Sequence, residues 1–197
     1  GNDTPVIWRG PLVSRMTEQF FRDVEWGKLD YLILDLPPGT GDIQLTLTQK
    51  LRMTGAIIVT TPQDIALADV RKGADMFRKV QTPVLGVIEN MSGFILKGFI
   101  KDSNGKKILG GSIVLSDGNI EELDAEGFFK LKVDLFKQGG GTIESDRLGV
   151  PLLGKIPIAK EIMEATDIGT PIVYKNPESS ISKTYVSIVD SILSIIE

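Results

Sequence analysis

The chain has 197 residues, 42% apolar and 24% charged, with a formal net charge of −4; this profile predicts a globular chain with one substantial core and room for a small second module. It contains neither cysteine nor histidine, which excludes disulfides, thiolate-ligated metal and imidazole acid–base chemistry within the chain. The acidic balance argues against nucleic acid as a partner. The apolar runs fall far short of the ~20 residues that span a bilayer and no signal-like leader is visible, so the expected location is the cytoplasm, with no membrane partner.

Gly1 to Gly10 begins without a first strand or a cap and reads as the middle of a larger architecture. Residues 13–24 carry Met16 and Phe20 at helical spacing from Leu12, with Phe21 beside them. Tyr31-Leu-Ile-Leu-Asp35 is an apolar run ending in a carboxylate, the pattern of a buried parallel strand that delivers Asp35 to its carboxyl end, where open α/β sheets bind ligands. Pro37, Pro38, Gly39 and Gly41 then force a tight loop whose backbone N–H groups can face an anion. This is the pattern of a Walker B strand with a switch loop, in which the acid holds the waters around Mg²⁺ and the loop senses a γ-phosphate. The plain alternative is a buried strand followed by an ordinary turn, with Asp35 capping a neighbour.

Ile43 to Met53 is predicted helical, with Leu45, Leu47 and Leu51 on or near one face and Gly55 closing it. Ala56–Thr60 reads as a second apolar strand. Asp64 is a candidate N-cap of a helix to about Val80, with Ala66, Val70, Gly73, Phe77 and Val80 on one stripe. Val84–Ile88 is a third buried strand, ending in Glu89-Asn90-Met91-Ser92. Strand–helix–strand alternation of this kind predicts an α/β fold with a doubly wound, mainly parallel sheet.

At Gly93 the period changes to two. Lys97–Lys101 and Lys107–Leu115 flank Asp102-Ser103-Asn104-Gly105, a hairpin signal. Asp117-Gly118 marks another turn, and Phe129, Leu131 and Val133 alternate with lysines as in a strand with one buried face. The organisation expected is therefore a core in two parts, residues 1–94 and 138–197, with an antiparallel β module inserted at 95–137. Past Gly139-Gly140-Gly141, whose expected role is a backbone bend before a helix, come a short helix at 142–148, a strand at 151–155 and a short helix at 161–166. Last is an amphipathic helix at 180–196 with Val186, Val189, Ile192, Leu193 and Ile196 toward the core.

Several of these motifs occur in one order and spacing: Trp8-Arg9-Gly10-Pro11, Asp35-Leu-Pro-Pro-Gly-Thr-Gly-Asp42, Thr61-Pro62-Gln63-Asp64, Asp69 with Arg71-Lys72-Gly73, Glu89-Asn90-Met91-Ser92, the triple glycine, and Leu153-Gly154-Lys155-Ile156-Pro157. Together they resemble the Mrp/ApbC-type nucleotide-binding proteins, P-loop ATPases related to MinD that carry iron–sulfur clusters. The resemblance implies a homodimeric ATPase with ATP and Mg²⁺ at the subunit interface and a cluster passed to client apo-proteins. It implies that Asp35 is the acid on the Mg²⁺ side, that Gly39, Thr40, Gly41 and Asp42 form the switch loop, that Asn90 bonds the adenine edge, and that Pro157 packs on the base. An amide suits the adenine edge because it offers donor and acceptor together; without the resemblance, the default reading of Asn90 is a residue closing a strand in a turn.

Two features depart from that family. Nothing here matches the Gly-x-x-x-x-Gly-Lys-Ser/Thr phosphate loop, so ATP hydrolysis is expected only if that loop lies upstream in a longer protein. The Cys-x-x-Cys pair expected between Asn-Met-Ser and the triple glycine is replaced by the β insertion, so the chain itself has no cysteines to hold a cluster. A non-catalytic scaffold, with the insertion docking a partner, is the alternative this favours. A second alternative is a MinD/ParA-like spatial switch, against which the acids Asp190 and Glu197 in the tail argue.

Overall fold

The computed structural model describes residues 15–16, 19–36, 42–136 and 139–197, and gives only the backbone of 42, 43, 46 and 64–69. In chain order the elements are α1 (Asp42–Lys50), β1 (Ala56–Thr60), α2 (Asp64–Lys79), β2 (Val84–Phe99), β3 (Ser112–Val114), β4 (Ile120–Glu122), β5 (Phe128–Val133), α3 (Gly140–Leu148), β6 (Leu152–Ile158), α4 (Lys160–Asp167), α5 (Ile172–Lys175) and α6 (Ser180–Ile196). The main sheet runs β1-β2-β5, with β6 also paired to β2, while β3 and β4 form a separate two-stranded sheet. The chain divides into two compact units, residues 1–58 with 68–85, and residues 59–67 with 86–197.

In the first unit, Ala56, Ile58, Ala74, Met76 and Phe77 are buried. Gly55 is required where β1 begins: a Cβ there would stand 2.4 Å from Leu85 Cγ. In α1 the buried residues are Gln44 and Thr48, whose hydroxyl donates to the Gln44 carbonyl, while Leu45 and Leu47 are only half-buried. Trp26 Nε1 donates to the Phe20 carbonyl at 3.0 Å. The expected buried strand at Tyr31–Asp35 is not observed. Residues 31–36 adopt no strand, and Ile33 is 90% exposed. An apolar run reports the need for burial, but a parallel strand also needs neighbours to pair with.

The second unit is organised by β2, which is far longer than the Val84–Ile88 strand expected. Its first part pairs parallel with β6, Ile88 opposite Gly154 and Asn90 opposite Ile156. Its second part pairs antiparallel with β5, Phe94 opposite Val133 through Phe99 opposite Phe128. One strand therefore leaves the α/β layer and becomes the first strand of the insertion. The hairpin turn forms as expected: Gly105 has φ 80°, and Asp102 Oδ1 accepts from the N–H groups of Asn104 and Lys106. The strand expected over Lys107–Leu115 is reduced to Ser112–Val114.

Ile188 of α6 lies on β6 with Leu153 and Ile156, and Gly154 makes the approach possible, since a Cβ there would lie 2.6 Å from Ile188 Cγ1. A second cluster joins Ala159, Ala165, Ile172 and Ile181. Ser179 caps α6, accepting from Ser182 N–H, and the Ser182 hydroxyl donates to the Asn176 carbonyl at 2.6 Å. The stripe of α6 that faces the core is Ile181, Tyr185, Ile188 and Ile192; Val186 and Val189, expected inside, are 47% and 51% exposed. Apolar residues occupy both sides of this helix, so the 3.6-residue period fits two phases and packing on β6 selects one.

Candidate functional site

In the second unit the parallel part of β2 ends beside the carboxyl end of β6, and the residues there are set by one buried acid. Glu89 continues the apolar run of β2 inward and is 1% exposed. Burying a carboxylate is costly unless hydrogen bonds or an opposite charge replace its water, and two hydrogen bonds and one ion pair do so. Ser92 Oγ donates to Oε1 at 2.6 Å, the Gly141 N–H donates to Oε2 at 2.7 Å, and Lys155 Nζ stands 3.8 Å from Oε1.

The triple glycine explains the second of these bonds. Gly139, with φ 90°, is the N-cap of α3 and makes no side-chain cap bond. A Cβ on Gly140 would meet the Thr61 carbonyl at 2.9 Å, and one on Gly141 would meet Glu89 Cβ at 2.7 Å. The glycines therefore let the start of α3 lie directly on the loop after β1 and on the end of β2, beyond the simple bend expected of them. The anion at this helix N-terminus is the protein's own Glu89, which satisfies an otherwise orphaned N–H and complements the helix dipole. Beside it is a cavity of about 220 Å³ lined by Pro62, Glu89, Ser92, Lys132, Asp134 and Lys155 among others.

Asn90 and Met91 project outward between the buried Glu89 and Ser92. Met91 has φ 57°, and the β2–β6 register is irregular just beyond Asn90. Asn90 Oδ1 accepts from the Met91 N–H at 2.9 Å; it is the one side-chain hydrogen bond of Asn90 among the described residues, so the amide NH₂ is available to an incoming acceptor. Pro157 follows Ile156, the pairing partner of Asn90, so these two expected base-side residues lie on neighbouring strands.

Asp35 is exposed at the end of the unpaired 31–36 segment, in the first unit. Gly39, Thr40 and Gly41, like the motif residues Trp8 to Pro11, lie outside the described residues; Asp42 opens α1, with its side chain also outside them. Among the described residues no cluster of three or more His, Cys, Asp or Glu can hold a metal ion, and no helix is long and apolar enough to cross a membrane. Sequence reasoning quoted Glu89, Ser92 and Lys155 inside motifs but gave them no role. The signal was available: an ionisable residue continuing an apolar strand demands a partner.

The family model for ParA, described as the NUBPL iron-transfer P-loop NTPase, matches residues 1–113 and 119–193. The chain belongs to this family. The iron–sulfur cluster carrier protein of Aquifex aeolicus is 42% identical over 195 residues, 99% of this chain and 45% of that protein. The Synechocystis protein of the same name is 44% identical over 190 residues (96% and 46%), and mouse iron–sulfur cluster transfer protein NUBPL is 38% identical over 189 residues (96% and 50%). The chain thus spans about half the length of the curated relatives it matches. Among solved structures, an Archaeoglobus fulgidus nucleotide-binding protein in complex with ADP superposes with a TM-score of 0.57 at 30% identity, covering 83% of this chain and 55% of that one. The cell-division ATPase MinD of Pyrococcus furiosus, at 20% identity and a TM-score of 0.55 over 94% of this chain and 59% of its own, shares the fold. The architecture is the α/β fold of MinD-like P-loop NTPases, carrying a small antiparallel addition.

Proposed function

We propose that the protein containing this chain is an ATP-dependent iron–sulfur cluster carrier that works as a homodimer in the cytoplasm and delivers its cargo to apo-protein clients. The observation that carries the nucleotide part is the pairing of Asn90 with the Pro157 strand, where the parallel part of β2 ends beside the carboxyl end of β6, in a family whose relatives are named as cluster carriers and whose solved neighbour was obtained with ADP.

In this reading the Asn90 amide hydrogen-bonds the adenine edge and Pro157 covers one face of the base. Bound Mg²⁺ supplies charge neutralisation for the phosphates. Asp35 would serve as the acid on the metal side, and Gly39, Thr40, Gly41 and Asp42 would be the residues of the switch loop. The phosphate loop that completes such a site is absent from these 197 residues, so hydrolysis belongs to the full-length protein. The cargo's thiolate ligands must come from outside this sequence, because it has no cysteine.

The test is ATP turnover by the full-length protein with Mg²⁺. Asp35→Ala is expected to abolish it, and an unchanged rate removes Asp35 from the metal side of the site. The absence of cysteine keeps one other reading open, a nucleotide-responsive scaffold whose β insertion docks a partner. β2 supports it by running uninterrupted from Asn90 into that insertion. A full-length protein that binds ATP and a partner through residues 95–137, yet never carries a cluster, would decide for it.

A further inference from the structure

We propose that Glu89 is the positioning residue for Asn90: through its bonds to Ser92 and to the start of α3 it fixes the kink that aims the Asn90 amide at the base. The inference rests on the reading of Asn90 given above. Asn90 and Met91 lie between residues whose side chains bond each other, Glu89 Oε1 and Ser92 Oγ at 2.6 Å. That bond closes the tetrapeptide, so the two residues between its ends are extruded. Met91 holds a left-handed backbone, φ 57°, which a residue bearing a side chain adopts only when its surroundings impose it.

The second carboxylate oxygen fastens the closed turn to a rigid element. Gly141 N–H, at the first turn of α3 and 52 positions along the chain, donates to Oε2 at 2.7 Å. Lys155 approaches from β6, two residues before Pro157. The acid therefore bonds or faces β2, β6 and α3 at once, while the Asn90 side chain makes one local hydrogen bond. An exposed amide with so few contacts has no aim of its own. Binding to a purine edge needs it held within a narrow angle, and residues fixed by packing and hydrogen bonds do that.

The experiment measures equilibrium binding of fluorescent ATP and GTP analogues, with Mg²⁺, to the full-length protein and to Glu89→Gln, Ser92→Ala, Asn90→Ala and the Glu89→Gln/Asn90→Ala double variant. The ATP-to-GTP affinity ratio is the readout, because general loosening of the fold weakens both nucleotides alike. Glu89→Gln keeps the shape and presents one NH₂ where an acceptor is needed. It is expected to lower the ratio about three- to tenfold, the worth of one misaligned hydrogen bond, with the double variant no lower than Asn90→Ala alone. Ser92→Ala, which removes a single hydroxyl, is expected to shift the ratio the same way by less, and it decides the matter if Glu89→Gln does not fold. A wild-type ratio in the folded Glu89→Gln and Ser92→Ala variants, alongside a lowered ratio in Asn90→Ala, overturns the positioning role alone. An unchanged ratio in Asn90→Ala overturns the base-side reading and the positioning role with it.

Discussion

Replacing Gly141 with alanine should destabilise the protein, although the same change in most helices does the opposite. Within a helix, Gly→Ala contributes about 1 kcal/mol of stability through propensity and unfolded-state entropy. Here the added Cβ would stand 2.7 Å from Glu89 Cβ, 3.0 Å from Glu89 Oε2 and 3.1 Å from Leu152 Cδ1. The first of these atoms is held close to the β2 backbone, so it cannot swing aside as a side-chain tip would. Overpacking of this kind costs about 1–3 kcal/mol. If Glu89 shifts to relieve it, the bond from the Gly141 N–H is lost instead, at about 1.5–3 kcal/mol for a carboxylate acceptor.

These two costs are alternatives, since relief of one incurs the other. Subtracting the helical gain leaves a net loss of up to about 2 kcal/mol, or up to about 8 °C in Tm for a chain of this size. Urea denaturation of wild type, Gly141→Ala, Glu89→Ala and the double variant measures it. The double variant should lose less than the sum of the singles by about 1 kcal/mol or more, because Glu89→Ala removes the carboxylate that the new methyl crowds. A Gly141→Ala protein about 1 kcal/mol more stable than wild type would falsify the claim that the triple glycine exists for close approach to Glu89.

Two further outcomes follow from packing and charge. Ile188→Ala should cost about 2–5 kcal/mol, since the side chain is buried at 4% exposure against Leu153, Ile156 and Gly154. Val186→Ala, at 47% exposure, should change stability by about 0.5 kcal/mol or less; equal losses in urea melts would mean that α6 is rotated from the orientation described. The Lys97 ammonium, 2.8 Å from Glu161, holds the Glu161 carboxyl below its ordinary range, against a raising effect of burial. A depressed folded pKa contributes stability that is present above the unfolded value of 4.5 and is lost as pH falls through the folded value. Both groups are well exposed, so Lys97→Ala should cost under ~1 kcal/mol at neutral pH, with the difference from wild type vanishing in strong acid and at high salt. A difference that grows on acidification contradicts the pairing.

What could be read in the sequence was decided by local chemistry. Helix α2, the turns at Asn104-Gly105 and Asp117-Gly118, and the alternating face of β5 all follow from caps, glycine conformations and periodicity contained in a few residues. Asn90 and Pro157 were singled out by motif order, and the sheet register places them on adjacent strands. The length of β2 was hidden because the period changes halfway along it, at Met91 and Gly93, where a left-handed residue and a bulge turn one strand toward new partners. An ionisable Glu89 at the end of an apolar run signals that it needs a partner, but which partner was hidden, since one of them is a backbone N–H 52 positions away, which carries no residue-specific signature.

Tyr31–Asp35 marks the point at which pattern and structure part. Alternate strands such as β5 need one covered face, so a single partner sheet satisfies them. A run apolar at every position needs both faces covered and a ladder on its edges as well. None of those is specified by the run itself. In the described structure Ile33 stays 90% exposed, and the Ile57 and Val59 side chains of β1 remain open in the same way. These exposures fall on the two apolar runs that precede β2, while Val87 of β2 is fully buried and β6 packs against α3 and α6. Hydrophobic pattern thus identifies which segments require neighbours, and only the elements present around them determine whether that requirement is met.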